Sequence, residues 1–138
     1  MNQELRIAIK RHESIGDFTY PIVEDKLISE AEHKLCLVLP ISYIEFLKEF
    51  GHGGLDGIET FGIGKNNQLI FVDETLKYRN LGLPHNFIVI ENCDEWLYCL
   101  DSNNGQIITW TYNETPEFSF NSFDEYLQCR INDAIDNM

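Results

Sequence analysis

The sequence predicts an α+β fold: one domain over residues 1–138, with a mostly antiparallel sheet packed by helices. Three observations point there. Apolar residues recur at helical spacing near both ends of the chain. Short apolar runs bounded by turn residues fill the middle. Those runs are joined by tight turns, which cannot connect parallel neighbours, so a doubly wound nucleotide-binding sheet is disfavoured. There is no internal repeat, low-complexity tract or linker.

The elements follow in order. A first helix is expected over about residues 2–12, with Leu5, Ile9 and Ile7 inward. "GDFTYPIVED" breaks it with Gly16 and Pro21. A second helix runs from about Glu24 to Cys36, with Leu27, Ile28, Ala31 and Leu35 at spacings of three and four. In "LPISYIEFLKEFG", Tyr43, Phe46, Leu47 and Phe50 make one stripe. That helix starts either with Pro40 in its first turn or with a Ser42–Glu45 capping box, and Gly51 stops it. "GIETFGI" and "QLIFV" then read as strands. "DETLKYRNLG" reads as a short helix capped by Asp73 and stopped by Gly82. "FIVIEN", "EWLYCLD" and "QIITWTY" read as three further strands, with turns at Asn92 to Asp94 and at "SNNG". The closing helix opens on a Ser122–Glu125 capping box and lines up Phe123, Tyr126, Leu127, Ile131 and Ala134.

Bulk properties exclude several function classes. Hydrophobic residues are 43% of the chain, enough for a core and too many for a disordered segment. No apolar run is long enough for a membrane span, and "MNQELRIAIKRHE" lacks the apolar centre of a signal peptide. A cytoplasmic location without membrane contact is expected, so the acceptor-like "NET" at Asn113 to Thr115 carries no weight. Cys36, Cys93, Cys99 and Cys129 contain no C-x-x-C pair, and free thiols are expected. The net charge is -13, and from Glu91 onward ten acidic residues face a single base, Arg130. Such a surface repels phosphate backbones, so no direct contact with nucleic acid is expected. It attracts a basic protein.

The glycine-rich stretch "FLKEFGHGGLDGIETFGIG" tests the main catalytic alternative. A phosphate loop places its glycines before a helix N-terminus. These glycines follow a helix, and Lys65 precedes Asn66 where a Walker motif has Ser or Thr. A helix stop and a tight turn explain them better. His52 in that turn has Asp56 and Glu59 nearby but no nucleophile-elbow serine or cysteine. His12, His33 and His85 are scattered, and paired acids such as Asp73-Glu74 diverge on either secondary structure. No catalytic residue, metal site or cofactor is expected. What remains is a surface. Asp94, Glu95 and Asp101 surround Trp96 and Tyr98, which share one strand face. These five, with Asp56 and Glu59, are the candidate binding residues. Whether the two aromatics face solvent or core is open at this stage.

Several segments together resemble one family, the SUKH superfamily of Smi/Knr-like domains. They are "EAEHKLCLVLPISYIEFLKEFGHGGLDGI" (Glu30 to Ile58), "VDETLKYRNLGLPHNFIVIE" (Val72 to Glu91), "EWLYCLD" (Glu95 to Asp101) and "SFDEYL" (Ser122 to Leu127). The resemblance covers about residues 20–135, and its strongest element is the "LP-x-S-Y-x-x-F-L" helix followed by "GHGGLDGI". It implies an α+β domain without a catalytic set. It implies further that the chain, like many bacterial members, is an immunity protein. Such a protein binds a cognate polymorphic toxin, here expected to be a basic nuclease domain. Two alternatives stand beside this expectation. One is a regulatory interaction scaffold like the yeast members, whose long disordered flanks these 138 residues lack. The other is a small-molecule binder or enzyme using the His52 loop.

Overall fold

The computed structural model describes residues 1–138. Helices α1 (Gln3–His12), α2 (Asp25–Leu35) and α3 (Ile41–Glu49) come first, and α4 (Ile70–Arg79) follows the glycine-rich loop. Strands β1 (Phe87–Asn92), β2 (Leu97–Asp101), β3 (Ile107–Trp110) and β4 (Glu117–Phe120) then form an antiparallel sheet in sequential order, and α5 (Phe123–Asp136) closes the chain. The α+β prediction holds. One continuous core of 33 buried residues joins the helices to both faces of the sheet.

The helix ends follow local chemistry. The Asn2 side chain accepts the Leu5 N–H at 2.8 Å and starts α1. The α5 capping box forms in part: Ser122 Oγ accepts from the Glu125 N–H, while Glu125 reaches the Asn121 N–H, one residue earlier than the usual partner. Helix α3 starts at Ile41 with Pro40 outside it as N-cap, and Ser42 makes no capping bond. Ile7, expected inward, faces solvent, because the inward stripe of α1 is only Leu5 and Ile9.

Two strand expectations fail. "QLIFV" contributes to α4, which begins at Ile70 and not at Asp73. A short apolar run fits a buried strand or a buried helix equally well, and packing decides. Here Phe71, Val72 and Thr75 enter the core, and Thr75 Oγ1 donates to the Phe71 carbonyl while accepting the Val89 N–H. "GIETFGI" belongs to no strand; Thr60 and Ile63 make only isolated bridges, to Gly53 and Leu69. The N–H groups of Ile58, Thr60, Phe61 and Ile63 go to four different carbonyls, those of Leu55, Gly53, Ile90 and Gly51. A strand would need one continuous neighbour. The sheet also has a strand the pattern concealed: β4 is four residues long, alternates poorly and follows Pro116.

Bulges set which way side chains point. Across β1 and β2, Val89 pairs with Cys99 and Glu91 with Tyr98, leaving Ile90 as the extra residue. The shift turns Glu91 to the face shared by Tyr98, Leu100 and Ile88, which α5 covers. The opposite face, with Val89, Cys99 and Trp110, packs on α4 through Thr75 and Tyr78.

The glycine-rich loop is a close-packed backbone crossing. Gly51 takes φ +81 just past the α3 C-cap and ends the helix. Gly53, at φ +128, bonds Thr60 in both directions while the Asp17 carbonyl presses on the spot a Cβ would occupy. Replacing Gly53 with Ala adds both backbone strain and that overlap. It is expected to cost about 2 kcal/mol or more in urea unfolding; a loss under 0.5 kcal/mol would show that the crossing is looser than described.

Candidate functional site

The residues singled out in the sequence fall into three places. Asp94, Glu95 and Trp96 form the β1–β2 turn and its exit. Asp94 sits at φ +66, with its N–H held by Asn92 Oδ1. Tyr98 is half-buried beneath α5, its ring edge-on to those of Tyr126 and Trp96. The choice between core and surface thus divides the pair: Tyr98 is wedged under the helix, and Trp96, 37% exposed, is the outward end of the row.

Asp101 lies five residues along the strand from Trp96, about 16 Å at strand rise. Its carboxylate accepts from Asn86 Nδ2 and the Asn103 N–H and so pins the β2–β3 turn. Asp56 and Glu59 belong to the glycine-rich loop. Asp56 is exposed, at φ +51. Glu59 faces His52, with Nε2 and Oε2 3.0 Å apart.

His52 is a packing residue. It is buried, stacked on Phe61 at 12° between ring planes, and its Nδ1 accepts the Gly62 N–H at 2.9 Å. That bond leaves the ring proton on Nε2, where it meets Glu59. The only free lone pair is therefore occupied, and a general base needs one. The chain has no cluster of three His, Cys, Asp or Glu side chains placed to hold a metal ion. All four cysteines are free thiols: Cys36 is exposed and Cys99 buried. Burial and the neighbouring Glu91 carboxylate push Cys93 up to about 12. A thiol held protonated in this way is a poor nucleophile at neutral pH.

A buried polar cluster sits just under the Trp96 row. Glu91, 4% exposed, receives the Tyr126 hydroxyl at 2.8 Å. Arg130 donates to it twice, Nε to Oε1 at 2.9 Å and Nη2 to Oε2 at 2.6 Å. The hydrogen bonds from Arg130 to Glu91 hold the guanidinium firmly protonated. Thr60 bonds the Tyr126 hydroxyl from the loop side at 3.0 Å, which ties the glycine-rich segment to α5. Sequence reading missed this cluster, because Glu91 looks like any strand-end acid until the bulge turns it inward.

Around Trp96 the surface is concave on both sides. Toward α4 lies a shallow notch of about 180 Å³, with Tyr78, Leu81, Trp110 and Tyr112 in its walls. Toward α5 lies a polar cleft of about 270 Å³, which includes Glu95, Glu114 and Glu117. Asp94, Glu95, Glu114 and Glu117 make no ion pair. Glu114, Glu117 and Tyr112 were not singled out in the sequence. The available signal was the acidic "NETPE" stretch, which lay beyond the last recognised strand. No helix is long and apolar enough to cross a membrane.

His52→Ala removes the acceptor of a buried N–H and is expected to cost about 1–3 kcal/mol in thermal or urea unfolding. Its effect on partner binding should not exceed that loss of folded protein. Unchanged stability with loss of a catalysed reaction would reverse the assignment.

Comparison with known proteins adds two findings. A family model described as SMI1-KNR4 cell-wall, of the SUKH group, matches residues 8–132. A crystal structure of a protein from Pseudomonas syringae pv. tomato is similar with a TM-score of 0.68, over 83% of this chain and 89% of that one, at 17% identity. At that identity the likeness shows the fold.

Proposed function

From the membership of this chain in the SMI1-KNR4 (SUKH) family, we propose that it is an immunity protein that neutralises a cognate toxin by stoichiometric binding. The family includes immunity proteins, and its members are generally binding proteins rather than enzymes. The observation that carries the reading for this chain is the unpaired acidic surface at the Trp96 end of the sheet. Four carboxylates there lack a counter-charge, next to an exposed indole and Tyr112.

The physics favours a basic partner. Exposed acids in high dielectric add little to the fold. Their summed field speeds encounter with a positive surface and orients it. A nuclease is positive where it holds phosphate, so an acidic inhibitor can cover that patch by matching its potential. Trp96 supplies the large rigid contact common at binding hot spots. Inhibition by occlusion needs no bond made or broken, which agrees with the committed ring nitrogens of His52. The cytoplasm, where a toxin of this kind acts, is the proposed place of action.

The test is co-expression with the toxic domain of a secreted protein encoded beside this chain. Survival only in the presence of this chain, together with a 1:1 complex, is expected. The association rate should fall about 10-fold or more between low salt and about 0.5 M salt. Asp94→Lys combined with Glu95→Lys should lower it further at low salt. A rate indifferent to salt and to both substitutions would remove the electrostatic account. Failure to protect would remove the immunity reading.

A further inference from the structure

We infer that the cleft on the α5 side of Trp96 takes an arginine side chain of the basic partner. This rests on the immunity reading for the partner's existence and adds the group that is gripped and the residues that grip it.

The strand register builds the cleft. Tyr98, Thr109 and Glu117 lie side by side across β2, β3 and β4. Trp96 and Thr111 stand one row outward on the same face. Helix α5 covers the inner row at Tyr98, through Tyr126 and Arg130, and leaves the outer row open. The walls are then Glu95, Trp96, Thr109, Thr111, Glu114 and Glu117. Residues 91–129 include no Lys or Arg, so the stretch that builds these walls brings no cation of its own.

The inner row shows which chemistry suits this face. The Arg130 guanidinium carbon lies 5.6 Å from the Tyr98 ring centre while its N–H groups bind the Glu91 carboxylate. An arginine between an aromatic ring and a carboxylate is therefore already part of the fold. Trp96 with Glu95, Glu114 and Glu117 offers the same pairing of ring and carboxylates beside it, in a cleft open to solvent. Indole is the strongest of the aromatic faces for a cation. A guanidinium can stack on it and still direct several N–H donors to separate carboxylates and threonine hydroxyls, while an ammonium is a compact, strongly hydrated point charge. Three neighbouring carboxylates also repel one another, and an incoming cation relieves that repulsion. The notch on the other side of Trp96 is less suited to a base: its wall residue Tyr78 already has Lys77 Nζ 5.2 Å from its ring centre.

The chain has two tryptophans, so two indole N–H signals report separately on Trp96 and Trp110. The intact ¹⁵N-labelled protein is titrated with the blocked tripeptides Gly-Arg-Gly and Gly-Lys-Gly. Trp96→Phe assigns the signals. The arginine peptide is expected to shift the Trp96 signal saturably, with Trp110 nearly still and the lysine peptide at least about threefold weaker. The triple variant Glu95→Gln, Glu114→Gln, Glu117→Gln should abolish the shift, and a retained Trp110 signal shows that it is folded. Equal response to both peptides, or shifts spread over every acidic surface without preference for Trp96, overturns the inference. With the toxin in hand, Trp96→Ala should weaken the complex about tenfold or more. Full affinity in that variant overturns the arginine site and leaves the immunity reading standing. A toxin that ignores the wild-type chain ends the immunity reading, and the peptide titration still decides the cleft.

Discussion

A single buried carboxylate organises this molecule. Glu91 is turned inward by a one-residue bulge in β1 and meets Tyr126 and Arg130 from α5. Burying a carboxylate costs several kcal/mol unless its lone pairs are satisfied. Here a hydroxyl and a two-pronged guanidinium supply the bonds, and the Cys93 thiol adds a weak fourth at 3.5 Å. Such a group need not add net stability compared with well-packed apolar residues. Its effect is to allow one placement of α5 on the sheet, because any slide along the strands would leave the charge unpaired. Through Tyr126 and Thr60 the same carboxylate also reaches the glycine-rich loop, so three parts of the chain share one constraint.

The outer surface follows from that inner arrangement. Arg130 is the only base after Glu91 in the sequence, and it is spent inside, on Glu91, Tyr98 and Asp133. Glu59 is likewise engaged with His52, and Asp101 with its own turn. The acids left without a partner at this end of the sheet are Asp94, Glu95, Glu114 and Glu117, and they surround Trp96, which α5 leaves open. The inward Glu91 is neutralised by Arg130, and four unpaired carboxylates stand together around Trp96.

Much of the architecture was legible because it depends on short-range pattern. The stripe of Tyr43, Phe46, Leu47 and Phe50, the Ser122 cap and the Asn92 and Asn103 turns each express a local preference that tertiary packing did not oppose. The failures lie where local pattern is ambiguous. Ile70, Phe71 and Val72 favour a strand by composition, yet they open a helix because that orientation buries Phe71 and Val72 against the sheet and its helices. "GIETFGI" reads like a strand, yet its N–H groups are divided between the preceding loop, at Gly51, Gly53 and Leu55, and Ile90 of β1. β4 is too short to show a period. At the site, Trp96, Asp94 and Glu95 were readable as a cluster because they are contiguous. Glu114 and Glu117 were not, since only the β2–β3–β4 register brings them beside Trp96. Glu91 was hidden for a related reason: a bulge changes the face of a side chain without changing the sequence period on either side.

The claim that the Glu91–Arg130 pair fixes α5 on the sheet is tested most directly by a double-mutant cycle. Urea unfolding is compared for wild type, Glu91→Gln, Arg130→Met and the two combined. Each single change should cost about 3 kcal/mol or more, because it strands the other member in a buried site. The combined change should cost little more than either one, which makes the coupling at least about 2 kcal/mol. Additive losses, with coupling under about 0.5 kcal/mol, would mean that the two side chains do not act together and that α5 is held by apolar packing alone.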